Sequence, residues 1–119
     1  MTPFGLRLRE MRAAKGARLK DMASALGVSA AYLSALEHGK RGRPSRAMFI
    51  DICAYFNIIW DDADALERLA WISHPRVVVD TSDLGPEATE LANLLAGSIN
   101  DLDPDSVRRM LSELRALTK

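Results

Sequence analysis

Apolar residues recur at helical spacing from the start of the chain. Phe4, Leu8 and Met11 lie four and three residues apart, which places them on one face of a helix. Thr2 precedes this stripe and can cap the helix, and Gly16 follows the stripe and can end it. The pattern therefore predicts a first helix between these two residues.

Two shorter helices are predicted next, and a glycine separates them. The apolar stripe of the first is formed by Leu19, Met22, Ala23 and Leu26. Gly27 stops this helix, because glycine readily adopts the left-handed conformation that a sharp turn requires. Ser29 can cap the second helix, whose apolar side carries Leu33 and Leu36. Ala23 is small, so the two helices are expected to cross closely beside it.

Four more helices complete a fold that is predicted to be all-α. Their expected N-terminal ends lie at Ser45, Asp61, Pro86 and Asp103. The run RVVVD, which interrupts the helical pattern, is consistent with either a short strand or an extended linker. The expected organisation is a domain at 1–73, a linker or short strand at 74–85, and a C-terminal helical region at 86–119 with two helices.

A net charge of zero conceals two halves of opposite sign. Residues 1–60 hold 10 Lys/Arg and 4 Asp/Glu, whereas residues 61–119 hold 6 Lys/Arg and 12 Asp/Glu. The basic first half favours a polyanion as its binding partner, and the acidic second half favours a different role.

Composition and motifs argue against several other classes of protein. Hydrophobic residues make up 48% and charged residues 27%, which is typical of a globular protein. No apolar run approaches the roughly 20 residues of a membrane-spanning helix. Cys53 is the single cysteine, so no internal disulfide can form, as in a reducing cytoplasm. His38 and His74 lack partners at metal-ligand spacing, and no nucleophile–base pair stands out. We expect a cytoplasmic protein without a cofactor, a metal or enzymatic activity.

Two groups of residues are assigned from chemistry alone. Trp60 and Trp71 can share one helix face, and packing in a core or an interface is favoured over a ligand cage. The basic residues of the first helix fall largely off its apolar stripe. Arg7, Arg9 and Arg12 are therefore expected to form a solvated face.

Two short helices joined by a glycine turn are the sequence form of a helix-turn-helix. The segments DMASALGVS, YLSALEHGKR and RPS, followed by an apolar helix, make residues 4–58 resemble the Xre/Cro/C1 (lambda-repressor-like) family. The resemblance covers about half of the chain and implies five helices, of which the second and third form the motif. Leu19 stands where the family commonly has Gln, and Arg18 and Lys20 flank it.

The resemblance also implies a mode of DNA binding. The third helix, here about 30–38, would enter the major groove of double-stranded DNA. The residues implied to face bases are Ala30, Ala31, Tyr32, Ser34 and Ala35. Those expected to contact phosphates are Arg18, Lys20, Ser29, Lys40, Arg41 and Arg43. Because alanine meets a thymine methyl group but reads no hydrogen-bond pattern, direct readout of the sequence is expected to be weak.

The expected protein is a DNA-binding transcription regulator of bacterial or phage type, acting as a homodimeric repressor. A single recognition helix reads little sequence, so two half-sites are the usual solution. The residues predicted to form the dimer contact are Leu91, Leu95, Val107, Met110, Leu111 and Leu114. The alternative is an antitoxin-type protein whose acidic C-terminal region binds a protein partner.

Overall fold

The computed structural model of the chain describes residues 1–118. The chain divides into two compact units, one at Met1–Val77 and one that begins at Val78. The described residues form α-helices and one 3₁₀ helix, without a strand. The α-helices are α1 (Pro3–Lys15), α2 (Leu19–Leu26), α3 (Ala30–Glu37), α4 (Arg46–Phe56), α5 (Trp60–Trp71), α6 (Pro86–Ser98) and α7 (Pro104–Leu117). The all-α prediction, with five helices and a C-terminal helical extension, is confirmed.

Local capping explains several of the helix ends. The Thr2 hydroxyl accepts a hydrogen bond from the Gly5 N–H at 3.0 Å, so it caps α1 as the sequence predicts. The Ser45 hydroxyl does the same for α4, accepting from the Met48 N–H at 3.1 Å. Gly27 ends α2 with φ of 72°, the left-handed conformation expected for the sharp turn.

The core of the first unit lies between α1, α2, α3, α4 and α5. The buried apolar side chains are Phe4, Leu8, Met22, Ala23, Leu33, Leu36, Phe49, Ile52, Leu66 and Ala70. Ala23 is 2% exposed, in agreement with its predicted place where α2 and α3 cross. Because Leu33 and Leu36 belong to this core, the inner side of α3 is held against the other helices of the first unit.

The structure bears on several sequence-based expectations about packing, and it contradicts the one for Arg12. Trp60 and Trp71 are 80% and 68% exposed, so neither is a core residue of the first unit. The RVVVD run is irregular backbone, and residues 74–85 contain no strand. Arg12 does not belong to a solvated face, because its side chain is only 15% exposed. The 3₁₀ helix Ile99–Asp101 has no counterpart in the sequence prediction.

Helices α1 and α3 approach each other unusually closely at Gly5. A methyl group added at Gly5 would overlap the carbonyl oxygen of Glu37 and lie 2.7 Å from its Cα. The Thr2 N–H donates to the same carbonyl oxygen at 3.4 Å. Glycine is therefore the residue that lets the start of α1 rest on the end of α3.

A buried ion pair joins the same two helices. The Glu37 side chain is 3% exposed, and the Arg12 guanidinium donates to both of its carboxylate oxygens at 3.3 Å. The Arg12 Nε has no hydrogen-bond partner among the described residues. Removing one member of such a pair would leave the other charge buried and uncompensated.

The second unit is helical and exposes its apolar side chains. Asp103 caps α7 by accepting a hydrogen bond from the Ser106 N–H at 3.1 Å, which confirms the predicted start of that helix. Neither α6 nor α7 contains a buried residue. None of the helices within residues 1–118 is long and apolar enough to cross a lipid bilayer.

Candidate nucleic-acid interface

The candidate site is built around α3, which begins directly after the corner at Gly27. The Ser29 hydroxyl accepts a hydrogen bond from the Tyr32 N–H at 3.0 Å and thereby caps the helix. Leu33 and Leu36 are fully buried and hold the inner side of α3 in the core. The short helix is thus fixed at its start and along its inner face, and its first turn is open to solvent.

Two of the five residues implied to face bases are open to solvent. Ala30 and Ala31 are exposed, whereas Tyr32, Ser34 and Ala35 are partly buried. The His38 Nδ1 lies 2.8 Å from the Ser34 carbonyl oxygen and donates to it, so the Nε2 is the ring nitrogen left for a partner outside α3. Three of the five predicted base-facing residues are alanines, so the surface offers shape and methyl contacts more than hydrogen bonds.

The predicted phosphate contacts come from two places. Lys20 is exposed on α2, and Ser29 is exposed at the start of α3. Apart from Arg18, the remaining predicted contacts lie in the loop between α3 and α4, and they are Lys40, Arg41 and Arg43. Arg41 turns back along α3, with its guanidinium 5.5 Å from the centre of the Tyr32 ring. Cation–π contact at this distance keeps the Arg41 charge beside the predicted base-facing residues.

Arg43 is placed differently from Arg41. Its guanidinium lies 4.2 Å from the centre of the Trp71 ring, at the end of α5. This contact gives the exposed Trp71 a packing role that the sequence did not reveal. It fixes the second arginine of the loop against α5 rather than against α3.

Arg18 is only partly available for a phosphate. Its Nε lies 3.3 Å from the Asp21 carboxylate, which also accepts a hydrogen bond from the Arg18 backbone N–H at 3.1 Å. The backbone hydrogen bond and then the side-chain hydrogen bond from Arg18 lower the pKa of Asp21 below its usual range. The Asp21 charge thus offsets that of Arg18, whereas Lys20, Lys40, Arg41 and Arg43 form no ion pair within residues 1–118.

Sequence reasoning missed the contacts that set the orientation of α3. Glu37 lies four residues after Leu33 and one after Leu36, so it falls on the buried stripe of the helix, and this spacing was the available signal. Gly5 also interrupts a helical pattern, which commonly marks close packing. Neither signal identifies the residue that is contacted, because that residue lies on the other helix and is brought near only by the packing of α1 against α3.

A short helix that follows a glycine corner, exposes its first residues and is bordered by unpaired basic side chains defines a helix-turn-helix domain of the kind found in DNA-binding transcription regulators. The chain belongs to the helix-turn-helix family, of the Xre type, and the family described as "Helix-turn-helix domain" matches residues 3–69.

Two known proteins illustrate the similarity. The uncharacterized HTH-type transcriptional regulator RghRB of Bacillus subtilis (strain 168) is 36% identical over 62 residues, which are 52% of this chain and 45% of that protein. The match thus spans less than half of the length of that relative. Among solved structures, the SinR–SinI protein complex matches 94% of this chain and 94% of its own chain, with a TM-score of 0.45 and 20% identity.

Proposed function

We propose that the protein is a sequence-specific DNA-binding regulator that acts as a homodimeric repressor and inserts α3 into the major groove. The observation that carries this proposal is the solvent-exposed first turn of α3, bordered by exposed basic residues without acidic partners within residues 1–118. A duplex groove admits a helix of this kind, and phosphate contacts on either side position it. Repression follows from occupancy of a promoter by a compact dimer.

Affinity and specificity come from different parts of this surface. Lys20, Lys40, Arg41 and Arg43 supply contacts with the phosphate backbone, which strengthen binding to any sequence. The alanines of α3 read little hydrogen-bond pattern, so specificity depends on DNA shape and on the spacing of two half-sites. Binding is therefore expected to weaken steeply as the salt concentration rises.

Arg41→Ala and Ser34→Ala are expected to affect DNA binding in different ways. Arg41→Ala should weaken binding to all sequences alike and reduce the salt slope by about one, because one phosphate contact is lost. Ser34→Ala should change preference at a single base pair, by roughly 1 kcal/mol for one hydrogen bond. Fluorescence anisotropy at several salt concentrations, with a panel of single-base operator variants, measures both. Swapped outcomes would show that the roles are assigned wrongly.

The exposed apolar faces of α6 and α7 support a homodimer. The six residues predicted to form the contact are exposed to between 38% and 64%: Leu91, Leu95, Val107, Met110, Leu111 and Leu114. Contiguous apolar surface of this kind marks an interaction site. A second copy of the same region would bury it around a two-fold axis.

We expect Leu111→Glu to convert the dimer into a monomer in the full chain. A carboxylate on the apolar face of α7 would be desolvated at the interface without a partner. Light scattering should give twice the 13.1 kDa chain mass for the native protein and a single chain mass for the variant. Arg109→Glu is the control, because helical spacing places Arg109 on the opposite side of α7. A variant that keeps the dimer mass would remove this face from the interface.

The acidic C-terminal region supports the second candidate, an antitoxin-type protein that binds a protein partner. Residues 61–119 hold 12 Asp/Glu against 6 Lys/Arg, and the apolar faces of α6 and α7 are exposed. A native chain that is monomeric in solution, and that binds a basic protein encoded beside it through residues 86–119, would favour this candidate over the homodimer.

A further inference from the structure

A basic cleft lies within the first unit, between the loop that follows α3 and the segment that follows α5. Its volume is about 510 Å³, and its charged or ionisable lining consists of His38, Lys40, Arg41, His74 and Arg76. We call this the basic cleft. His74 and Arg76 lie outside the residues that the helix-turn-helix motif explains.

The lining of the basic cleft has one sign of charge. No Asp or Glu contributes to it, and the remaining lining residues are two glycines and a proline. Lys40, Arg41 and Arg76 form no ion pair within residues 1–118. The positive charges of these three side chains repel one another, and no carboxylate of the lining offsets the repulsion. A bound anion would offset it.

The segment that carries His74 and Arg76 is anchored. Ser73 is 3% exposed, and its hydroxyl accepts a hydrogen bond from the Phe4 N–H at 2.9 Å. The same hydroxyl donates to the carbonyl oxygen of Leu69. These bonds tie the end of α5 to the start of α1, so the next residues enter the cleft from a fixed point.

Hydrogen bonds also orient the His74 ring. Its Nδ1 accepts from the Arg76 backbone N–H at 3.2 Å, so the neutral ring carries its proton on Nε2. The Nε2 faces the loop, since a methyl group built at Gly42 would lie 4.0 Å from it. His74 thus presents a donor toward the loop that also carries Lys40 and Arg41, which line the same cleft.

We propose that the basic cleft binds a phosphate group, with His74 and Arg76 as donors in addition to Lys40 and Arg41. Several cationic donors that line one cleft, without a carboxylate among them, suit a multiply charged oxyanion better than a single carboxylate. Arg41 connects the cleft to α3, because its guanidinium also lies over the Tyr32 ring.

The phosphate has two possible sources. A backbone phosphate of a duplex bound at α3 would extend the DNA contact beyond the motif, and this case rests on the proposed function. A free phosphorylated molecule would be an independent ligand, for which a cleft of about 510 Å³ has room.

The experiment compares the native full chain with H74A/R76A, and with Arg9→Ala as a control for the loss of one exposed charge. Pyrophosphate is titrated while NMR follows the backbone amide resonances of Gly39 and Gly42, which line the cleft and are present in all three proteins. Duplex affinity is measured in parallel against salt concentration. We expect saturable shifts in the native protein and in Arg9→Ala, and a loss of affinity for pyrophosphate of about tenfold or more in H74A/R76A, equivalent to about 1.4 kcal/mol.

The duplex measurement separates the two sources. If H74A/R76A also lowers the salt slope by about one, the phosphate belongs to DNA. If duplex binding is unchanged while the pyrophosphate shifts are lost, the ligand is a free phosphorylated molecule. Both results support the proposal.

Three other results have distinct meanings. An absence of saturable shifts together with an unchanged salt slope overturns the proposal, and so do equal losses in Arg9→Ala and H74A/R76A. A native protein that binds pyrophosphate in the cleft but no duplex at any salt concentration contradicts the proposed function and leaves the cleft as the site of a free ligand. Thermal unfolding of each variant verifies that the fold is retained.

Discussion

Gly5→Ala is expected to lower the free energy of unfolding of the first unit by about 3 kcal/mol or more, at the upper end of the range for overpacking. The added methyl group would overlap the backbone carbonyl of Glu37, which cannot move aside as a flexible side chain could. Helix α1 would have to move away from α3. This movement would lengthen the hydrogen bond from the Thr2 N–H to the Glu37 carbonyl oxygen and would expose part of the Phe4 side chain. Urea unfolding monitored by circular dichroism measures the loss.

The matched control for this prediction is Gly97→Ala, which makes the same chemical change inside another helix. A methyl group at Gly97 would meet no atom within 4 Å. Alanine favours helix over glycine by up to about 1 kcal/mol, so this variant should be as stable as the native protein or more so. If Gly5→Ala unfolded like Gly97→Ala, the close approach of α1 and α3 would not exist in solution.

The second large effect is expected for Arg12→Ala, with a loss of about 3–5 kcal/mol. The substitution leaves the Glu37 carboxylate in the core without its partner, and that side chain is 3% exposed. Chemical denaturation of the native protein and the variant, under identical conditions, measures the difference. Replacing both residues together, as R12M/E37L, should recover much of the loss, since apolar side chains of similar size can replace a buried pair.

Arg7→Ala is the control for charge removal on the same helix. Arg7 pairs with Glu10 at 3.4 Å, and both side chains are about half exposed. Exposed pairs contribute between 0 and about 1 kcal/mol, so Arg7→Ala should change stability little. Similar losses for Arg7→Ala and Arg12→Ala would mean that the Arg12–Glu37 pair is exposed to solvent in the native protein.

Helix positions were predictable because their signals are local. Thr2, Ser45 and Asp103 cap their helices through their own side chains, and Gly27 supplies a conformation that few other residues adopt. Apolar spacing likewise identified Leu33 and Leu36 as buried. Each of these inferences needs only a few neighbouring residues.

The parts that were not predictable depend on how distant segments meet. The spacing within α1 alone predicts that Arg12 is solvated. The packing of α1 against α3 places Arg12 beside the buried Glu37, with which it forms an ion pair. Arg43 is assigned to phosphate from the family resemblance and its charge, but its contact with Trp71 requires the relative position of the loop and α5. The basic cleft joins residues more than 30 positions apart in the chain, so no local pattern reveals it.

The separation between the inner and outer residues of α3 has a consequence for how this regulator could change its targets. Its inner residues and its Ser29 cap keep the helix in place, and the exposed Ala30 and Ala31 contribute almost nothing to that task. In the proposed mode of binding, longer polar side chains at these two positions would add base contacts without creating a cavity, a clash or a lost hydrogen bond in the interior. If α3 reads the operator as proposed, single substitutions at these positions would change operator preference in descendants of this protein while the scaffold that carries them stays the same.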